Sequence, residues 1–492
     1  MVLRSRGTIA VAIAFVVPLV VLLSSIRTSV GFWDTGDLQT VAWIAGIPYP
    51  TGYPGYVLAG WLWTHVLPIG EVAARLNALS AVAIAAGAAV VAVLALELDV
   101  DPLFATLSGW SFAFARVVWE RGTYADVHPL GFALVLGALA LGLRWSRGGR
   151  PRTLVAAILW AALALAVDDT VVLVLPGALL VGLGRGWPLR ATALAILGGV
   201  VMVGAVYAYL PLRSAYVVRH GLDPTLALGV PPGRPYWDDH DPRTPDGFRA
   251  LVTGDEWSPQ FTVARILSPH EFANAYDRYG QELLEAEPMG LFAAAAIGVC
   301  FVLADFPLIG VGLIVATVVP ALFGASYQAE ADPERYVLGL YALSALGLAV
   351  VADRTARAFG RDVPELARFV VAGLLGLGLV HDVLASGSIW AARADHKGAE
   401  LSAQVVASTH DDALVVASWN LAAPLAYRDY VQHRFGARVL LCALPEEHLH
   451  EYRRWMHDRQ VVIVALSDPD LPGLRTRLLG TSGDELIYEV LP

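Results

Sequence analysis

Charge is what this 492-residue sequence has little of: Asp, Glu, Lys and Arg make up 16% of it, against 56% for the hydrophobic residues. Soluble domains carry about 25% charged residues. Composition alone therefore excludes a soluble globular chain and points to a polytopic membrane protein. Cysteine is nearly absent. Cys300 lies in a hydrophobic run and Cys442 in a late polar region, so no disulfide between them is expected and no redox compartment is fixed. No basic run accompanies the net charge of −10, which excludes a nucleic-acid footprint. No GxGxxG or Walker pattern, internal repeat or low-complexity tract is present, and without a nucleotide motif nucleotide binding is unsupported.

What is there is a series of long apolar runs, at 7–27, 73–98, 102–119, 127–145, 153–167, 170–184, 190–211, 289–305, 307–325, 336–352 and 366–386. A span takes about 20 apolar residues, so about eleven transmembrane helices are expected. The runs at 153–167 and 170–184 are short and meet at Asp168-Asp169, as in a tight helical hairpin. The stretch "PGYVLAGWLWTHVL" (54–67) is too short to span and, with Tyr56, Trp61 and Trp63, suits a helix lying in the interface. Arg4 and Arg6 precede the first run, and no clear small-residue cleavage site follows it, so it reads as a retained helix.

Alternating spans put the arginines on one side: Arg4 and Arg6; Arg144, Arg147, Arg150 and Arg152; Arg185 and Arg190; Arg354, Arg357, Arg361 and Arg368. That side is cytoplasmic by the positive-inside rule. The expectation is a multi-pass protein of the cell (inner) membrane with a cytoplasmic N-terminus. Loop 28–72, loop 212–288, the turns at 120–127, 168–169 and 326–335, and everything after about 387 then lie outside. Two domains follow, a membrane domain over 1–386 and an extracytoplasmic one over 387–492. In the latter, "ALVVAS" (413–418), "ARVLLCAL" (437–444) and "QVVIVALS" (460–467) read as buried strands, with "LAAPLAYRDYVQHR" and "PEEHLHEYRRWMHDR" as helices between them. That alternation predicts a small α/β domain with a parallel sheet.

Acids gather at the outer helix ends: Asp34, Asp37, Glu71, Glu120, Asp126, Asp168, Asp169, Glu330, Asp332 and Glu334. Most read as solvated loop charges. Asp34 and Asp37 differ, because Phe32, Trp33, Leu38 and Trp43 flank them. A carboxylate in an apolar setting at the bilayer surface is expensive and marks function. Asp126, in "YADVH" (124–128), suits a helix N-cap or an active-site acid equally, while His128 suits a structural role. Those two and the Asp168-Asp169 pair also have the ligand types for a divalent cation, Mg or Mn, although no spacing enforces it. Arg213 in "YLPLRS" and Arg335 in "DPERYVL" are cations on the acidic side. Charges against the positive-inside trend suit an anion, phosphate above all, or else an ion pair.

These residues, in this order, carry a resemblance. "WDTGDLQTVAWIAGIPYPTGYPGYVLAG", "RLNALSAV", "YADVHPL", "YLPLRSA" and "ERYVLGLYAL", over about residues 30–350, are similar to the transmembrane-protein-260-type protein O-mannosyltransferase family. That family belongs to the GT-C superfamily of polyprenyl-phosphate-sugar-dependent glycosyltransferases. Its first motif, roughly Asp-Ser-Gly-Glu and then Pro-Pro-Gly-Tyr-Pro, is here Asp34-Thr35-Gly36-Asp37 and Pro50-Thr51-Gly52-Tyr53-Pro54. The chain departs at Asp168-Asp169, where relatives often carry Asn-His, and at Trp419 and Leu421, where they often carry acids.

The resemblance implies an all-α GT-C membrane fold with catalysis on the extracytoplasmic face and the catalytic acid in the first outer loop. It implies transfer of a sugar, mannose at family level, from a polyprenyl-phosphate donor to a protein or glycan hydroxyl. Asp34 is then the expected base, Asp37 its helper, Arg213 and Arg335 the phosphate ligands, and Tyr53, Asp126, His128, Asp168 and Asp169 the pocket. The competing class is a polytopic lipid or sugar transporter, which ordinarily shows inverted repeats and midplane charges; neither is visible here.

Overall fold

Wherever the apolar runs are described they are helical, because a backbone in hydrocarbon must satisfy its N–H and C=O groups within its own segment. The computed structural model describes residues 2–231, 237–260, 267–270, 273, 289–326, 333–359 and 364–492. Among these, seven helices are long and apolar enough to cross a membrane: Arg6–Ser25, Val72–Glu97, Val127–Ser146, Leu189–Arg219, Pro307–Ser326, Glu334–Phe359 and Glu365–Ala385. The chain is an integral membrane protein.

The remaining runs form shorter pieces, so the full-length spans among the described residues are fewer than the expected eleven. Pro151–Val167 and Met289–Asp305 have 17 residues each. The 102–119 run is split into Pro102–Phe114 and Arg116–Arg121 by an extended backbone at Ala115. The 170–184 run starts as a 3-10 turn, Asp169–Leu173, and continues only as Leu175–Gly182. The segment at 54–67 is the helix Pro54–Val66, with Tyr56, Val57 and Gly60 buried and Trp61, Leu62 and Val66 exposed. That two-sidedness is what an interface helix requires.

The bundle core forms around Leu22, Phe104, Phe112, Trp119 and Leu143, all buried. At one end of the bundle arginines meet acids in the open. Arg147 lies 2.6 Å from Asp99, Arg368 lies 2.9 Å from Asp101, and Arg354 pairs with Asp305. The loop 28–72, the first outer loop of the expected topology, occupies the opposite end.

The C-terminal segment forms a five-stranded sheet in the order β2-β1-β3-β5-β4. Strands β1 (Leu414–Ala417), β2 (Val439–Cys442) and β3 (Val461–Ala465) are parallel, as their apolar runs predict. Strands β4 (Arg475–Ser482) and β5 (Glu485–Leu491) add an antiparallel hairpin, so the sheet is mixed rather than purely parallel. The hairpin turns at Gly483, whose φ of 61° suits glycine. The first connecting helix is Trp419–Ala426, shorter than "LAAPLAYRDYVQHR", and gives way to a π turn at Tyr427–Val431.

This sheet domain is docked on the first outer loop. The Trp419–Ala426 helix lies so close to the loop helix Trp33–Ile44 that a Cβ on Gly36 would sit 2.8 Å from Ala423 Cβ and 2.3 Å from Gly31 O. The Tyr427 hydroxyl accepts the Ala73 N–H at 3.0 Å, tying the domain to the start of the Val72–Glu97 helix.

Candidate active site

The first-loop helix opens with Trp33, whose φ of 53° is a left-handed backbone rarely taken by a bulky residue. Gln39, nearly two turns further on, accepts the Gly31 N–H at 3.0 Å and donates to Asn77 Oδ1 at 2.8 Å. Asn77 also donates to Arg27 O and accepts the Ala125 N–H, both at 2.8 Å. One turn along the same helix, Ser80 Oγ accepts the Asp126 N–H at 3.3 Å. The "RLNALSAV" segment thus pins the first loop and the "YADVH" turn to one helix.

Asp34 stands in the first turn of the loop helix. Its side chain keeps 29% exposure, and its Oδ2 lies 3.3 Å from Arg335 Nη1. Asp37, one turn on, is 1% exposed, and its Oδ2 accepts the Tyr49 N–H at 3.4 Å. The two acids therefore differ: one lies on an accessible rim, and the other is inside the fold as part of the loop's own hydrogen bonding. Tyr53, left-handed at φ 36° and buried, packs its ring 5.4 Å from Tyr49. Burial and the nearby Asp169 and Asp168 carboxylates push its hydroxyl well above its ordinary value.

Behind this rim is a buried charge array. Asp126 caps the Val127–Ser146 helix, its Oδ1 accepting the His128 N–H at 2.9 Å. Its Oδ2 lies 3.1 Å from Arg121 Nη1, and Arg121 Nη2 lies 3.2 Å from Glu334. His128 Nδ1 lies 2.9 Å from Asp168 Oδ2, while Asp168 Oδ1 accepts Thr170 N–H and Oγ1–H at 3.0 and 2.7 Å. Burial would raise the Asp126 pKa, but His128 and Arg121 outweigh it and hold the carboxyl below its usual range. Asp169 goes the other way, pushed up to about 6 by burial and by its neighbour Asp168. A cavity of about 40 Å³ is lined in part by His128, Asp168, Thr170, Arg335 and Tyr336.

Of the residues singled out in the sequence, the described contacts thus bring together Asp34 with Arg335, Asp126 with His128, and His128 with Asp168. They do not bring Arg213 to this cluster. Arg213 Nη2 donates to Ile44 O at 3.1 Å, at the far end of the 12-residue loop helix; a helix of that length runs about 18 Å. Glu330 and Asp332 lie outside the described residues. Arg121 takes one carboxylate, Asp168 takes the imidazole, and no group of three or more His, Cys, Asp or Glu among the described residues is arranged to hold a metal.

Sequence reasoning missed Arg121, Asn77, Gln39 and Trp419. Arg121 had a readable signal, being a cation beside Glu120 on the acidic side. Trp419 stood out only as a departure from the family's tail; its place beside the loop depends on docking of the C-terminal domain, which sets its ring 5.8 Å from Trp33 and 5.2 Å from Tyr49.

The model of the protein O-mannosyl-transferase TMEM260 N-terminal domain matches residues 34–188. That stretch holds Asp34, Asp37, Tyr53, Asp126, His128, Asp168 and Asp169. Over 155 residues, 31% of the chain, the sequence is 29% identical to the protein O-mannosyl-transferase TMEM260 of Mus musculus. Over 146 residues, 29% of the chain, it is 25% identical to that of Dictyostelium discoideum. These matches cover only 22% and 18% of those two proteins. The whole fold is similar to ArnT of Cupriavidus metallidurans in the apo state, with a TM-score of 0.60 over 98% of each chain at 14% identity. ArnT bound to undecaprenyl phosphate gives 0.59 over 97% of each chain at 12% identity. The mycobacterial arabinofuranosyltransferase AftD gives 0.53 over 98% of this chain and 40% of that one, at 15% identity. The chain has the fold of these GT-C structures, and its likeness to the TMEM260 N-terminal domain is confined to residues 34–188, the segment that carries the first-loop acids.

Proposed function

We propose that the protein transfers a sugar, mannose by family resemblance, from a polyprenyl-phosphate-linked donor to a hydroxyl of an extracytoplasmic protein acceptor, with inversion. The observation that carries this reading is the pairing of Asp34 with Arg335, a carboxylate on an accessible rim held 3.3 Å from a guanidinium 301 residues away. Each group suits one half of the reaction. Asp34 accepts the acceptor's proton as its oxygen attacks the anomeric carbon. The bond from that carbon to the phosphate oxygen breaks, and its electron pair stays on the oxygen, where Arg335 stabilises the charge. Phosphate leaves as an anion without a general acid, so one carboxylate suffices and a single displacement inverts the centre.

Arg335 neutralises Asp34 while no donor is bound. An arriving phosphate competes for the guanidinium and leaves the carboxylate free to take a proton. Asp37 orients the loop. Of the two outer arginines, Arg335 is the better phosphate ligand on these contacts, and Arg213 is secondary.

The test uses purified protein, polyprenyl-phosphate mannose and a serine- and threonine-bearing peptide. Asp34→Asn should lose at least ~100-fold in kcat, the low end for positioned acid–base catalysis, with donor binding retained. Arg335→Lys should also fall, because an ammonium cannot reproduce the bidentate fork. Full activity in both variants would sink the proposal.

A further inference from the structure

Two parts of the chain far apart in sequence share the rim around Asp34, and together they suggest where the acceptor lies. Trp33 immediately precedes Asp34. It is 57% exposed and sits on a left-handed backbone, a conformation that persists only where the surroundings enforce it. Its ring meets Trp419 edge to face, with centroids 5.8 Å apart, and Trp419 in turn meets Tyr49 at 5.2 Å. These rings form a wall that runs from the exposed surface to the inner end of the loop.

The sheet gives the second line of argument. In the order β2-β1-β3 the chain leaves β1 to one side for β2 and then crosses to the other side for β3. In open α/β sheets ligands bind outside the carboxyl ends of the parallel strands, at the point where the strand order reverses. Here that point is the end of β1 at Ala417, followed directly by Ser418, Trp419 and Asn420, all half-buried. Ser418 does not cap the helix that follows; its hydroxyl donates instead to Asn420 Oδ1 at 2.7 Å. The docking through Gly36 and Ala423 turns this end of the sheet toward the Asp34 rim.

We infer that the C-terminal domain is the acceptor-reading half of the site. A polypeptide segment lies across Trp33 and Trp419, with the polar side chains at the end of β1 beside it, and so presents its hydroxyl to Asp34. This rests on the transferase reading and adds to it the place of the acceptor and the residues that hold it. Around the Asp34–Arg335 pair, the wall contributed by Trp33, Trp419, Ser418 and Asn420 offers flat aromatic faces and neutral hydrogen-bonding groups, which suit a peptide.

The experiment uses the full-length protein with polyprenyl-phosphate mannose and three acceptors: a synthetic Ser/Thr/Pro/Ala peptide, methyl mannoside, and water, the last read as sugar released from the donor. Trp33→Ala and Trp419→Ala should each raise the peptide KM about tenfold, the size of a lost aromatic contact. The kcat, the donor KM and the release to water should hold, and Phe at either position should recover much of the peptide KM. An unchanged peptide KM would overturn the inference. So would a donor KM that rises in parallel, or a shift seen with methyl mannoside alone. If the wild-type protein neither releases nor transfers the sugar, it is the transferase reading that has failed, and this inference falls with it.

Discussion

The two ends of the helical bundle use the same residue types to opposite effect. At the basic end, Arg147–Asp99 and Arg354–Asp305 have side chains 26 to 70% exposed. At the site end, Arg121–Asp126 and His128–Asp168 are 3 to 9% exposed. Exposed pairs are worth about 0–1 kcal/mol, since water competes for both partners. Buried ones carry a desolvation penalty that mutual attraction only partly offsets. A chain that holds buried pairs at one end and surface pairs at the other spends its charges differently: the surface pairs cost little, and the buried ones are held only by the surrounding fold.

The hardest way to break this comparison is to reverse the orientation. By the positive-inside expectation that the arginine-rich end faces inward, a reporter that is active only outside the cytoplasm, fused after Pro492, should be active. A reporter active only inside would overturn the assignment of both ends.

Next in size is Arg121→Met. It strips the cation from two acids at once, Asp126 and Glu334. Removing one partner of a buried pair costs about 3–5 kcal/mol, so the melting temperature in detergent should drop sharply. Adding Glu334→Gln should recover part of that loss, since it removes one stranded charge. A melting temperature that stays at the wild-type value would show that Arg121 is not paired as described.

A smaller effect is in pH. Asp169 titrates near 6 in the fold, raised from 3.8 first by burial and then by Asp168. The folded state therefore holds its proton more tightly than the unfolded chain does. The stability this contributes is fully present below about pH 4 and is lost as pH rises through about 6. The stability difference between wild type and Asp169→Asn, followed by thermal unfolding, should fall across that window and be flat on either side. A difference that does not vary with pH would contradict the burial. The smallest effect belongs to the basic end: Arg147→Ala should change stability by less than about 1 kcal/mol and leave turnover alone.

The helices were legible in the sequence because each apolar run is a local property. Breaks such as the extended Ala115 were not, since nothing in "SFAFARVVW" announces them. Strands β1 to β3 were visible as buried apolar runs. The β4–β5 hairpin was not, because Arg475–Ser482 is largely solvent-facing and reads as a polar loop. Asp34 and Asp37 stood out as acids in an apolar setting, yet only the fold separates the rim acid from the buried one. Asn77, and the partner of Arg121, were missed because they depend on residues far along the chain, Ala125 at a separation of 48 residues and Glu334 at 213. A sequence scan sees neighbours, and these contacts join segments that meet only in the assembled bundle.

That long reach between Asp34 and Arg335 has a consequence for biogenesis. The pair spans 301 residues. At a synthesis rate of about 5–20 residues per second, Asp34 waits roughly 15–60 s for its cation. Through that interval the first loop has left the ribosome while the counter-charge is still untranslated. A nascent chain in this state holds an unmatched acid at the membrane surface and no phosphate ligand beside it. Under the proposed mechanism, competence therefore waits on the segment around Arg335, the last part of the pair to be made. A chain arrested before that point would hold Asp34 without the cation that faces it in the finished fold.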